Sequence, residues 1–366
     1  MDKEMTVIRG KSGHPRINIL VRGFFFPDLH EKGEYLMFNN VQRILIFGIM
    51  LTVMLAAANV TASGNKTRNS NDTAIVIASF GTTVPSAITA IINIIDKTKA
   101  AYPNTEVRVT FTSNIIRSVW KERQVEAQRW LDEGIPKEIL FVKNIISTIG
   151  DLREEGYRNI IVQPTHMFYM EQSQDLQSYI DALASIKTTK EKWRPFDTLV
   201  MGRPALGMPG DRYSYHTDVA TAVATLAGDA ELAKKEDAIL LYMGHGNDHW
   251  STGIYAETQK KMREVYPEVH TFIGVVEGTP SLNDFLDHLQ YAKTKKIILK
   301  PFMIVAGDHA KNDMAGPETD SWMSILSKEG YEVKPVMEGL GSNDAFAALF
   351  VSHIKDVADD NGLLLQ

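Results

Sequence analysis

The stretch "AILLYMGHG", residues 238–246, decides the fold. Its apolar residues follow one another without the polar alternation of a half-exposed strand, so both faces must be buried. That is the mark of a parallel sheet covered on each side by helices. The run then stops on glycine, histidine and glycine, which are poor strand formers. A second stretch, "TAIVIASFG" at 73–81, closely parallels it: an apolar β-branched run ended by glycine.

Working outward, each of these two strands opens a round of similar units. After the first come "EVRVTFTS" (106–113), "EILFVKN" (138–144), "NIIVQPTH" (159–166) and "TLVMGRP" (198–204), all read as strands. "SAITAIINIIDKTKAAYP" (86–103) carries apolar residues at helical spacing and stops at proline. After the second come "TFIGVVEG" (271–278), "KIILKPFMIVAG" (296–307) and "YEVKPVMEG" (331–339), separated by helical stretches. Two successive β/α rounds predict an α/β protein with two doubly wound domains. Each holds a parallel sheet of four to five strands flanked by helices. The boundaries read as 73–204 and 205–342, with a C-terminal helix in 343–366 packing back on the first domain.

Ligands of such sheets bind outside the carboxyl ends of the strands. Those ends carry His166, His245, Glu277 and, within "VAGDHAKNDMAG" (305–316), Asp308 and His309. Singly, each histidine also suits a turn or a helix cap. Together, at equivalent topological positions, they point to a shared site. Imidazole nitrogen and carboxylate oxygen suit divalent Co, Fe, Ni or Zn, and three such ligands leave positions open for an incoming molecule. Gly244, Gly246, Gly278 and Gly307 would let the backbone approach a large flat ligand closely. There is no G-x-G-x-x-G, P-loop, H-E-x-x-H or serine nucleophile elbow.

"VIASFGTT", "TFTSNIIR", "QPTHM", "YMGHG", "GVVEGTPS" and "VAGDHAKNDMAG", in this order along the chain, resemble the anaerobic sirohydrochlorin cobaltochelatases, class II chelatases of the CbiK type. The resemblance runs from residue 73 to about 355 and implies two flavodoxin-like α/β domains with the active cleft, and the tetrapyrrole, between them. It implies ATP-independent insertion of Co2+ into sirohydrochlorin, a step of cobalamin synthesis, with Fe2+ or Ni2+ as other candidate metals and no organic cofactor. It implies His245, His309 and Glu277 as metal ligands and catalytic residues, and a homo-oligomeric state. The family also has an acidic site residue in the loop that here reads "HMFYMEQSQDL" (166–176). By direct count Gln172 takes its place, with Glu171 beside it. Thr82, Thr83, Ser113, Arg117 and His166 are candidate substrate contacts, although the hydroxyls equally suit helix N-caps. Asp308 is the candidate for orienting the His309 imidazole. Asp313 and Met314 read as loop-stabilising, and Trp322 as core. His249 and Trp250 read as helix-start residues, and His216, His270, His288 and His353 as surface or packing residues.

The composition is that of an ordinary globular protein, 44% hydrophobic and 23% charged. A formal net charge of -6 and the lack of a basic stripe argue against a nucleic-acid partner. Without cysteine there is no disulfide, thiolate nucleophile or cysteine-bound metal. Near the N-terminus, Arg43 precedes an apolar run from Ile44 to Ala58, followed by Val60-Thr61-Ala62. That run is shorter than the ~20 residues a spanning helix needs, so 37–62 reads as a secretory signal peptide, with an uncleaved anchor as the alternative. Met37 is then the expected start, 1–36 a translated leader and 63–72 a polar linker. The expected compartment is the periplasm. Export raises a second reading, a periplasmic tetrapyrrole or metal carrier on the same fold, in which Met167, Tyr169 and Met170 beside His166 would contact a bound haem.

Overall fold

The computed structural model describes residues 72–210 and 212–366. The expected leader, the expected signal peptide and all of the expected linker but Asp72 lie outside the described residues. Among the described residues no helix is long and apolar enough to cross a membrane.

Two four-stranded parallel sheets form the frame. The first contains β1 (Thr73–Ser79), β2 (Glu106–Phe111), β3 (Asn159–Pro164) and β4 (Thr198–Met201), in the order β2-β1-β3-β4. The second contains β5 (Ile239–Gly246), β6 (Thr271–Glu277), β7 (Lys296–Phe302) and β8 (Glu332–Pro335), in the order β6-β5-β7-β8. The order is the same in both halves, and β1 and β5 hold the same interior place.

The unbroken apolar runs are explained by what each face of a strand meets. Along β1, Ile75 and Ile77 enter one hydrophobic cluster while Ala74, Val76 and Ala78 enter another. Along β5, Leu240 and Tyr242 join the cluster that holds Ile75 and Ile77, whereas Ile239, Leu241 and Met243 pack on the far side. The two sheets therefore share one core. Helices Ile88–Ala101, Tyr215–Ala224 and Asp344–Asp360 supply Ile91, Val219 and Phe350 to it. Ile75, Ile77 and Leu240 have no exposed surface, and each such side chain contributes on the order of 2 kcal/mol before entropy is counted.

The C-terminal helix packs against helix Ile88–Ala101 and β3 of the first sheet, with Val357 and Ala358 on Ile161. Buried Arg203 holds the halves' connection in place. It pairs with Asp218 at 2.8 Å and with Asp356 at 2.8 Å, while its carbonyl meets His353 Nδ1 at 3.1 Å. His353 is thus a buried packing residue.

One expected strand is absent. "EILFVKN" forms a helical turn, Lys137–Leu140, and leaves a single parallel bridge between Thr110 and Lys143. Pro136 immediately precedes the turn in extended conformation, as suits a helix start, and Asn144 caps the next helix by accepting from the Ser147 amide. Between these two signals too few residues remain for a strand. Ile139 and Leu140 are buried all the same, which is why the stretch reads as apolar.

Candidate functional site

The carboxyl ends of both sheets open on one cavity of about 520 Å³. Ser79 and Phe80 reach it from β1, His166 from the end of β3, His245 from β5, Glu277 from β6 and His309 from the loop after β7.

His245 and Glu277 are neighbours because two glycines allow their strand ends to close on one another. Gly246 has φ +79° and is paired with Glu277, and a Cβ there would stand 1.8 Å from the Glu277 carbonyl oxygen. Gly278, at φ +90°, would place a Cβ 2.7 Å from the carbonyl oxygen of Asn247. Only glycine fits either place. The contact is completed by the Asn247 amide, which donates to the Glu277 carbonyl at 2.9 Å. Tyr255, wholly buried, accepts from the Gly246 amide at 3.3 Å, and burial pushes its hydroxyl pKa up to about 12. It serves as a neutral prop beneath the end of β5.

His309 stands at the start of a π-helical turn, Ala310–Met314. Its ring lies edge-on to His245, with centroids 4.8 Å apart and planes at 89°. Each imidazole has one nitrogen engaged. His245 Nδ1 faces the Gly246 carbonyl at 3.0 Å, and a carbonyl can only accept, so Nδ1 carries the proton. His309 Nδ1 lies 2.7 Å from Asp313 Oδ2 and donates to that carboxylate. Both Nε2 atoms are left as lone-pair donors, the form in which imidazole binds a metal. Glu277 Oε2 approaches His245 Nδ1 at 3.8 Å. No three His, Asp or Glu side chains among the described residues form a ready-made metal cage. Glu277, about 42% exposed, has room to turn toward an ion held by the two histidines.

Several sequence-predicted residues are placed differently from their expected roles. Asp308 lines the cavity but accepts from Asn312 Nδ2 at 3.0 Å, and it does not orient His309. Asp313 does, because the π-helical turn brings the residue four positions on beneath the imidazole. The His-x-x-x-Asp spacing was the available signal. Arg117 does not line the cavity. Its guanidinium folds back onto the Phe111 and Thr112 carbonyls and Asn114. Thr82 and Ser113 line the wall, yet their hydroxyls accept from the Val84 and Ile116 amides, local turn and cap duties.

His166 is buried in the cavity floor, with Nδ1 2.8 Å from Ser173 Oγ. Ser173 Oγ in turn faces the Phe168 carbonyl, so the hydroxyl donates there and accepts from His166. Burial lowers the His166 pKa to about 4, and its Nε2 has no partner. Glu171 and Gln172 both line the cavity at the start of helix Glu171–Ala184. Glu171 Oε2 accepts from Asn247 Nδ2 at 3.1 Å, across from one half to the other. Asn247 Oδ1 also accepts from the His249 and Trp250 amides, so those two residues shape the turn ahead of helix Gly253–Val265. Met314 and Trp322 belong to the second sheet's core.

A sequence model of the cobalt chelatase (CbiK) family matches residues 73–359, nearly the whole of the described structure. The chain belongs to the CbiK family. Two curated relatives are named sirohydrochlorin cobaltochelatases. The sirohydrochlorin cobaltochelatase CbiKC of Nitratidesulfovibrio vulgaris is 26% identical over 280 residues, covering 76% of this chain and 88% of the relative. The sirohydrochlorin cobaltochelatase of Salmonella typhimurium is 26% identical over 283 residues, covering 77% and 94% respectively. The solved structure of SirB from Bacillus subtilis with Fe3+ covers 81% of this chain and 100% of its own, with TM-score 0.51 at 12% identity. At that identity the likeness establishes the two-sheet chelatase fold and nothing more. In this chain the paired imidazoles and Glu277 line the cavity at the carboxyl ends of the two sheets.

Proposed function

We propose that the protein inserts Co2+ into sirohydrochlorin without ATP. Family membership over residues 73–359 and two sirohydrochlorin cobaltochelatase relatives support the reaction class. The observation that carries the proposal is the His245–His309 pair, each ring fixed through Nδ1 with its Nε2 lone pair free.

In this mechanism the two Nε2 atoms hold the incoming metal ion, and Glu277 turns in to neutralise part of its charge. Insertion expels two pyrrole N–H protons as the ion leaves the protein for the ring nitrogens. The same step frees two imidazole lone pairs, so the count of protons and acceptors balances. Neutral histidine is a competent proton acceptor near pH 7. Water exclusion comes from the apolar lining, to which Met303, Ile304 and Met167 contribute. His and Glu also accommodate Fe2+ and Ni2+. Export to the periplasm from a start at Met37, and assembly of several copies, are part of the same proposal.

The test is to purify the full chain and record its spectrum, then follow Co2+ and Fe2+ insertion into sirohydrochlorin by absorbance. Rapid metallation by pigment-free protein is expected. Bound haem with no turnover would replace the enzyme by a carrier. N-terminal sequencing should begin at Ser63, and peptides from residues 1–36 in the mature protein would sink the leader assignment.

A further inference from the structure

The two halves are built alike, yet their central strands end on different chemistry. β1 and β5 occupy the same place in the strand order. Phe80 is followed by Gly81 at φ +93°, and His245 by Gly246 at φ +79°. The likeness extends to the neighbours. A Cβ on Gly81 would meet the ring of Phe111, the last residue of β2, at 2.6 Å, and one on Gly246 would meet Glu277, the last residue of β6. Phe80 is therefore the structural counterpart of His245. Both side chains line the same cavity.

A phenyl ring in this position is left partly open to the cavity. Phe80 is 41% exposed although it follows a strand with every residue buried. Its hydrocarbon surface faces the space where the second half offers metal-binding nitrogen. An aromatic side chain gains most from offset stacking on another flat π system, beyond the area it buries.

We propose that Phe80 is the stacking contact for the tetrapyrrole, the first half's substitute for an imidazole. One half of the molecule then handles the metal and the other the ring. This rests on the chelatase reading, because it takes the macrocycle as the ligand.

The experiment compares wild type with Phe80→Ala, Phe80→Leu and Phe80→Tyr. Metal-free sirohydrochlorin binding is read by fluorescence quenching, and Co2+ binding by competition with a coloured chelator. Phe80→Ala should weaken macrocycle binding by about tenfold, the size of one lost stacked ring, with Co2+ affinity unchanged. Phe80→Tyr should bind as wild type, and Phe80→Leu should fall between. Macrocycle binding by Phe80→Ala equal to wild type overturns the assignment, as does leucine equal to phenylalanine. Parallel loss of Co2+ and macrocycle binding also overturns it, since that marks a structural role. A wild-type protein that binds the macrocycle but inserts no metal sinks the enzyme reading and leaves this assignment standing. One that binds no macrocycle sinks both.

Discussion

His245 and His309 meet edge to face, ring centroids 4.8 Å apart and planes at 89°, although 64 positions of chain separate "GHG" from "GDHA". Nothing in their own packing requires this. Both side chains are about one-third exposed, so neither anchors the core. The arrangement puts two imidazole lone pairs beside one cavity.

His245→Ala and His309→Ala are each expected to reduce Co2+ insertion by about a hundredfold or more. Melting temperatures should stay close to wild type, because each change removes a partly exposed ring. Stopped-flow absorbance gives the rate and calorimetry the stability. Near-normal chelation by both single variants would refute the assignment.

The Asp313 carboxylate holds His309 through Nδ1 at 2.7 Å. Removing the charge while keeping the shape should leave the ring less firmly held in the orientation that offers Nε2. Asp313→Asn is expected to weaken Co2+ binding by about 10- to 100-fold. Asp308→Asn, which disturbs only the contact with Asn312, should leave Co2+ affinity near wild type. The two Kd values, measured side by side, decide between the aspartates. Equal effects would show a general field rather than a specific hydrogen bond.

The contrast between those two aspartates shows how far the sequence was legible. Strand ends could be found from apolar runs, because burial on both faces of β1 and β5 forces that pattern. Hence His245, Glu277 and His309 were recognisable as residues at one end of their sheet. The partner of His309 was harder to choose, since Asp308 beside it and Asp313 four residues on both offered a carboxylate, and only the helical turn that follows His309 selects the i,i+4 partner. Arg117 illustrates a different limit. A cation near a strand end suggests a substrate contact, but three oxygens of its own segment take the guanidinium. "EILFVKN" failed for a third reason: burial of Ile139 and Leu140 looks the same in a helical turn as in a strand.

Gly246 couples backbone geometry to the site. Gly246→Ala forces a side chain into the left-handed region, and its Cβ would stand 1.8 Å from the Glu277 carbonyl oxygen. The strand ends must part, carrying His245 away from Glu277. Gly330→Ala is the control, because φ is +81° there but a Cβ would meet nothing within 4 Å. The control should cost about 1 kcal/mol from conformational strain alone, without touching Co2+ binding. Gly246→Ala should cost more and also weaken Co2+ binding. Thermal melts and metal titrations that rank the two variants alike would remove Gly246 from the site's support.

His166 gives the fold a calculable acid sensitivity. Its pKa falls to about 4 in the folded protein through burial, from 6.5 in the unfolded chain. Between those values the unfolded state binds the extra proton, so stability falls as pH falls. The contribution is complete above 6.5 and lost progressively toward 4, on the order of 3 kcal/mol in all. His166→Gln cannot titrate, so it should remove about one proton from the pH dependence of unfolding over that window. Urea midpoints collected between pH 7 and pH 4.5 measure the difference directly. The same slope in both proteins would mean that His166 is not held neutral. In that case its Nε2 could not be the unpartnered lone pair that the cavity floor now contains.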